Sequence, residues 1–173
     1  MNTIAKFEKV SREEFRKAIR NLKINATDDC IDDIYNNIHL PKRATKGSAG
    51  YDFYSSFGFD IKQGDSIIIP TGVRCRMQEG WVLTLYPRSG MGFKTGTRLA
   101  NTVGVIDSDY YFSDNEGHIM LKLVNDGVLG RDVCINVGDG ICQGILFPFG
   151  ITEDDNAIAI RNGGFGSTDK QKS

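Results

Sequence analysis

The chain has 173 residues, 40% of them hydrophobic and 25% charged, with a formal net charge of −1. That length suits one ordinary domain with a proper core and is short for two. A charge so close to zero excludes a broad basic face for nucleic acid or membrane, so any anion site must be built locally from a few cations and backbone amides.

Residues 4–10 alternate apolar and polar side chains and predict a short strand. Ser11 and Glu14 then read as a capping box, with Phe15, Ala18, Ile19 and Leu22 on one helical face. A second short helix is predicted from Thr27 or Asp28, with Cys30, Ile31, Ile34 and Tyr35 on its buried side. From about residue 40 the pattern changes to short alternating segments at 65–77, 81–86, 118–125, 132–137, 141–147 and 156–161. Trp81, Leu83 and Leu85 share one face of their segment, as do Ile119, Leu121 and Leu123 of theirs. With no βαβ alternation, heptad or repeat, an antiparallel jelly roll or barrel fits best. From Asn162 onward Gly, Ser and polar residues predict a mobile tail, unusual in carrying Phe165 between glycines.

The cysteines Cys30, Cys75, Cys134 and Cys142 form no Cys-x-x-Cys pair, and the histidines are His39 and His118 alone. Reduced buried thiols are expected, rather than disulfides or a zinc site. The N-terminus has no apolar signal core, and no run approaches the ~20 apolar residues of a spanning helix, so a soluble cytoplasmic protein is expected.

Four segments carry chemistry. Pro87-Arg88-Ser89-Gly90 follows an apolar strand and precedes a potential helix start, which aims a guanidinium, a hydroxyl and backbone amides at one point, as a phosphate requires. In Asn101-Thr-Val-Gly-Val-Ile-Asp107-Ser-Asp-Tyr110 an apolar strand delivers a carboxylate and then an aromatic. A strand end holds Asp107 rigidly enough for a general base, although Asp107 could equally cap a β-turn or pair with Asp109 at a metal. Gly138-Asp-Gly-Ile-Cys-Gln143 reads as a hairpin turn and a strand bearing one amide, and Ala49-Gly-Tyr-Asp52 as one carboxylate after a flexible turn.

Together with Arg161-Asn-Gly-Gly-Phe-Gly-Ser-Thr168, these segments resemble, in order, the five motifs of the trimeric dUTP diphosphatase (dUTPase) family, across residues 40–168. The resemblance implies an all-β fold, a distorted jelly-roll or β-barrel of the dUTPase type in a single domain over 1–173, with a helical insertion at 11–38. It implies a Mg²⁺-assisted hydrolase converting dUTP to dUMP and pyrophosphate, which keeps uracil out of DNA and supplies dUMP. In that pattern Asp107 is the base that activates the attacking water, and Tyr110 packs against the deoxyribose. Asn101 and a hairpin around Val105, Ile106 and Met120 read the uracil. Arg88, Ser89, Gly90 and Gln143 hold the phosphates, and Asp52 meets Mg²⁺ through water. From the tail, Arg161, Ser167 and Thr168 clamp the phosphates while Phe165 covers the base. A homotrimer with active sites at subunit interfaces is also implied, with neither nucleic acid nor membrane as partner.

Three features depart from the family pattern. Gly117 arrives seven residues after Tyr110, which lengthens the loop 111–117; Asp169 follows Thr168 where glycine is usual; and the segment 11–38 is additional. Two other readings compete. One is a dCTP deaminase of the same fold. The other is a nucleotide-responsive module that docks a protein partner through 11–38.

Overall fold

The computed structural model describes residues 2–158. Strand β1 (Ala5–Lys9) leads into helices α1 (Arg12–Asn21) and α2 (Asp28–Asn36). Both helices start where the caps predict: Ser11 Oγ accepts the Glu14 amide at 3.1 Å and Thr27 Oγ1 the Cys30 amide at 3.3 Å, each satisfying one orphan donor. Phe15, Ala18 and Ile19 of α1 and Ile31 of α2 are buried. Cys30 is exposed, contrary to expectation, because it lies one position, about 100° of helical rotation, off the inward stripe that Ile31 begins. Arg16 and Arg20 pair with Asp32 and Asp28, each at 2.6 Å, and lash the two helices together.

The remaining elements are strands β2 (Lys42–Arg43), β3 (Tyr51–Tyr54), β4 (Phe59–Ile61), β5 (Ser66–Pro70), β6 (Val73–Met77) and β7 (Trp81–Tyr86), then helix α3 (Ser89–Thr95). Strands β8 (Thr97–Leu99), β9 (Gly104–Ile106), β10 (Met120–Asn125), β11 (Val133–Ile135) and β12 (Gly140–Pro148) follow, with a 3-10 turn at Ser108–Phe112 between β9 and β10. The expected strand at 65–77 is two strands, and that at 156–161 shows no strand over 156–158, its last three residues lying outside those described.

All strand pairs are antiparallel. A five-stranded sheet has the order β2-β3-β12-β7-β9, and a three-stranded one the order β5-β10-β8; β1-β6 and β11-β4 form two ribbons. The fold is mostly β, and among the described residues these sheets wrap one core rather than closing a continuous hydrogen-bonded ring. Leu83 and Leu85 of β7 and Leu121 and Leu123 of β10 point inward as their alternation requires. Phe15, Ile19 and Ile31 join the same cluster, so the helical segment is an integral part of the core rather than an appendage. No helix among the described residues is long and apolar enough to cross a membrane.

Candidate active site

Strand β12 is the meeting point of one group of predicted residues. Gln143 stands opposite Asp52 of β3 on one side and Tyr86 of β7 on the other, so Asp52, Gln143 and the turn after Tyr86 fall side by side across three strands. Arg88 Nε lies 3.1 Å from Asp52 Oδ1, and Gln143 Nε2 donates to the Pro87 carbonyl at 3.3 Å. The Arg88 side chain is 39% exposed and that of Asp52 14%, so the guanidinium faces outward with its carboxylate tucked behind. Gly140 makes this possible. A Cβ there would collide with the Arg88 guanidinium, which lies directly over the bare backbone. Ser89 and Gly90 are exposed in the first turn of α3, with Arg88 at its N-cap. A cation, a hydroxyl, an amide side chain and free helix-start amides thus converge, which is the donor set of a phosphate site.

The second group surrounds a cleft. The expected hairpin linking Val105 and Ile106 to Met120 is not a hydrogen-bonded hairpin: β9 pairs with β7, whereas β10 pairs with β5 and β8. The two strands belong to different sheets and diverge, because 13 residues (107–119) with their own turn structure separate them. Between them lies a cleft of about 450 Å³ whose lining includes Asn101, Gly104, Ile106 and Met120. Among the described residues β9 is the last strand of its sheet, with β7 on one edge and no strand on the other. Val105, 59% exposed, alternates outward while Ile106 is 4% exposed. The sequence reading missed Gly104, which offers its backbone and has no side chain to signal a role, and Leu22, which belongs to α1.

Asp107 is half-buried at the N-cap position of the 3-10 turn, in extended backbone conformation (φ −73°, ψ 157°). Tyr110, expected against a sugar, is only 3% exposed. Its hydroxyl donates to the His118 carbonyl and accepts from Asn115 Nδ2, both at 2.8 Å, so the ring is fixed within the core rather than projecting from it. The lengthened loop folds back on itself. Gly117, at φ +71°, sits where a Cβ would lie 2.7 Å from Tyr111 Cα, which brings it back beside Tyr110–Tyr111 despite the added residues.

That loop rests on the helical segment. The Ser11 amide and hydroxyl donate to Glu116 at 2.8 and 2.6 Å. His118, fully buried, accepts the Gly72 amide on Nε2 at 2.9 Å, and its Nδ1 faces Glu14 Oε1 at 3.7 Å. This contact, charge–dipole rather than a full hydrogen bond at that separation, holds the Glu14 carboxyl below its usual range against the opposing effect of burial, with Lys17 assisting.

The two groups lie apart within one chain. Leu83 of β7 pairs with Ile106, which sets Asp107 beyond one end of the pair, whereas Arg88 follows the other end of β7. Asp107 stands level with Val82, so about six residues at ~3.3 Å put roughly 20 Å along the strand between Asp107 and Arg88. Arg161, Phe165, Ser167 and Thr168 lie outside the described residues. Among the described residues no group of three or more His, Cys, Asp or Glu could hold a metal. The cysteines are free, and two of the four depart from expectation: Cys75 and Cys142 are buried, Cys30 and Cys134 exposed. Burial pushes the Cys75 thiol up to about 12 and raises that of Cys142, so neither is a nucleophile.

The family model "dUTPase" matches residues 36–169. The deoxyuridine 5'-triphosphate nucleotidohydrolase of Lactococcus lactis is 42% identical over 134 residues, 76% of this chain and 88% of that protein. The dUTPase of Streptococcus mutans superposes with a TM-score of 0.64 at 35% identity, over 85% of this chain and 98% of its own. A dUTPase of phage phi11 of Staphylococcus aureus, in which a structural Mg(II) ion is coordinated, shares the fold at 21% identity and a TM-score of 0.64, over 91% of this chain and 98% of that one. The helical segment begins well before the matched region, while both half-sites lie within it. By its motifs, its fold and these likenesses, the chain belongs to the dUTPase family of nucleotide hydrolases.

Proposed function

We propose that this enzyme hydrolyses dUTP to dUMP and pyrophosphate at sites shared between subunits of a homotrimer. The observation that carries the proposal is the separation of the two half-sites along β7, roughly 20 Å, which is too far for a water held by Asp107 to attack a phosphate held by Arg88 of the same chain. A neighbouring chain that brings its Arg88 turn to this cleft removes the gap.

Uracil occupies the cleft, with its polar edges on Asn101 and the backbone of Gly104 and Met120. A base with the wrong donor pattern leaves those groups unpaired, which is costly in a dry site. Tyr110, held by His118 and Asn115, forms the rigid wall against the sugar and leaves no room for a 2′-hydroxyl. Arg88, Ser89, Gly90 and Gln143 neutralise and orient the phosphates, and Arg161, Phe165, Ser167 and Thr168 complete the enclosure. Asp107 orients a water and takes its proton as the water oxygen bonds to the α-phosphorus; the bond from that phosphorus to the bridging oxygen breaks, and pyrophosphate leaves. The donor set fits a Mg²⁺ that arrives with the triphosphate: Asp52, already paired with Arg88, can hold a metal-bound water but offers no cage of its own. When bound, Mg²⁺ supplies charge neutralisation on the phosphate oxygens.

The decisive experiment mixes two inactive variants. Asp107→Asn and Arg88→Ala each lack one half-site, and hetero-oligomers formed by co-refolding contain sites with both halves intact. Recovery of a sizeable fraction of wild-type turnover is expected. A mixture as inactive as its parents would place the whole site within one chain. Release of pyrophosphate from dUTP, without ammonia from dCTP, separates this reading from a deaminase.

A further inference from the structure

We infer that Leu22, at the C-terminal end of α1, is a wall of the base-binding cleft, so that the helical segment takes part in holding the base. The inference rests on the reading of that cleft as the base site, and goes beyond it by recruiting a residue outside the region matched by the family, 36–169.

Leu22 lines the cleft together with Ile68 and Met120. Its position is set firmly. The helix is anchored at its start by the bonds from Ser11 to Glu116, and along its length by Phe15 and Ile19, 0% and 1% exposed. It ends where Leu22 is delivered. The Leu22 amide closes on the Ala18 carbonyl at 3.3 Å, and Lys23 then adopts a left-handed conformation (φ +56°) that turns the chain away. A planar base needs polar contacts at its edges and aliphatic contacts on its faces. The lining of this cleft is largely aliphatic, and Leu22 adds to it a side chain from outside the matched region. The side chain therefore adds affinity for the nucleoside part of the substrate and none for the phosphates.

The test separates those parts by competitive inhibition of turnover, with deoxyuridine and inorganic tripolyphosphate as probes. Shortening the wall in Leu22→Ala is expected to weaken deoxyuridine inhibition and raise KM by about tenfold, with tripolyphosphate inhibition and kcat within about twofold of wild type. Leu22→Phe, which keeps the helix end packed but crowds the cleft, is expected to weaken deoxyuridine selectively as well, and decides the matter if the alanine variant does not fold. Equal weakening of both probes by both variants would make Leu22 merely structural and overturn the inference. So would unchanged inhibition by deoxyuridine. Asn101→Ala run alongside distinguishes the causes: if it weakens deoxyuridine and the Leu22 variants do not, the base site stands and only the role of Leu22 falls. If Asn101→Ala leaves deoxyuridine unaffected, the cleft is not the base site and both readings fall.

Discussion

At the scale of single residues the site depends on what is missing as much as on what is present. Arg88 reaches its place beside Asp52 because Gly140 has no Cβ to block it. Gly140→Ala should therefore displace the guanidinium while leaving β12 paired, and raise KM for dUTP by about tenfold, the order lost with one charged hydrogen-bonding group. Steady-state kinetics with a circular dichroism control checks this; an unchanged KM would show that Arg88 does not hold the substrate. Asp107 carries the complementary expectation. Asp107→Asn preserves shape and removes basicity, so kcat should fall by roughly 10²–10⁴ with KM little changed. The motif residues were legible in the sequence as types in an order, and their chemistry follows from the type. Gly104 was not, since a residue that acts through its backbone looks like any other glycine.

At the scale of elements the informative contact is between α1 and the loop after the 3-10 turn. These are two departures from the family pattern, far apart in sequence, and they fold onto each other: Ser11 on Glu116, Glu14 and Phe15 on His118, whose carbonyl in turn receives the Tyr110 hydroxyl. The buried Glu14 makes this contact pH-dependent. Its carboxyl titrates below its ordinary value of 4.5, chiefly because His118 Nδ1 faces it, so the stability it contributes is present above pH 4.5 and is lost as pH falls through the lower folded value. Wild type should then exceed Glu14→Gln in urea midpoint near pH 6, with the difference closing as pH drops below 4.5. A gap that persists unchanged at pH 3 would refute this origin. The cap at Ser11 predicted the start of α1, because a cap is a local hydrogen bond between residues three apart. No local rule could predict where the helices dock, or that Leu22, expected on the buried face, would reach the cleft between β9 and β10.

At the scale of the whole molecule, one chain carries two half-sites at opposite ends of β7. In the proposed mechanism assembly is a condition of catalysis, and the co-refolding experiment tests it directly. The tail is the remaining part of the proposed enclosure. Deleting 162–173 should leave the urea midpoint within error, since the described core is assembled from residues 10–142 with Leu146 against it, yet lower kcat/KM by at least about tenfold. Equal kinetics with and without the tail would remove it from the mechanism.

The sequence by itself determined the family, the mostly-β class and the helix starts, and it singled out Asp107, the arginine turn and the amide-bearing strand as candidates. These are set by residue type, short spacing and alternation, which act locally. Only the tertiary structure decided that β9 and β10 part to open a cleft, that Tyr110 is buried in the core, and that the helical segment packs against the loop after the 3-10 turn. It also decided that Asp107 and Arg88 of one chain stand roughly 20 Å apart along β7. Such outcomes depend on which strands share a ladder and on long-range packing, and no periodicity in the chain encodes that.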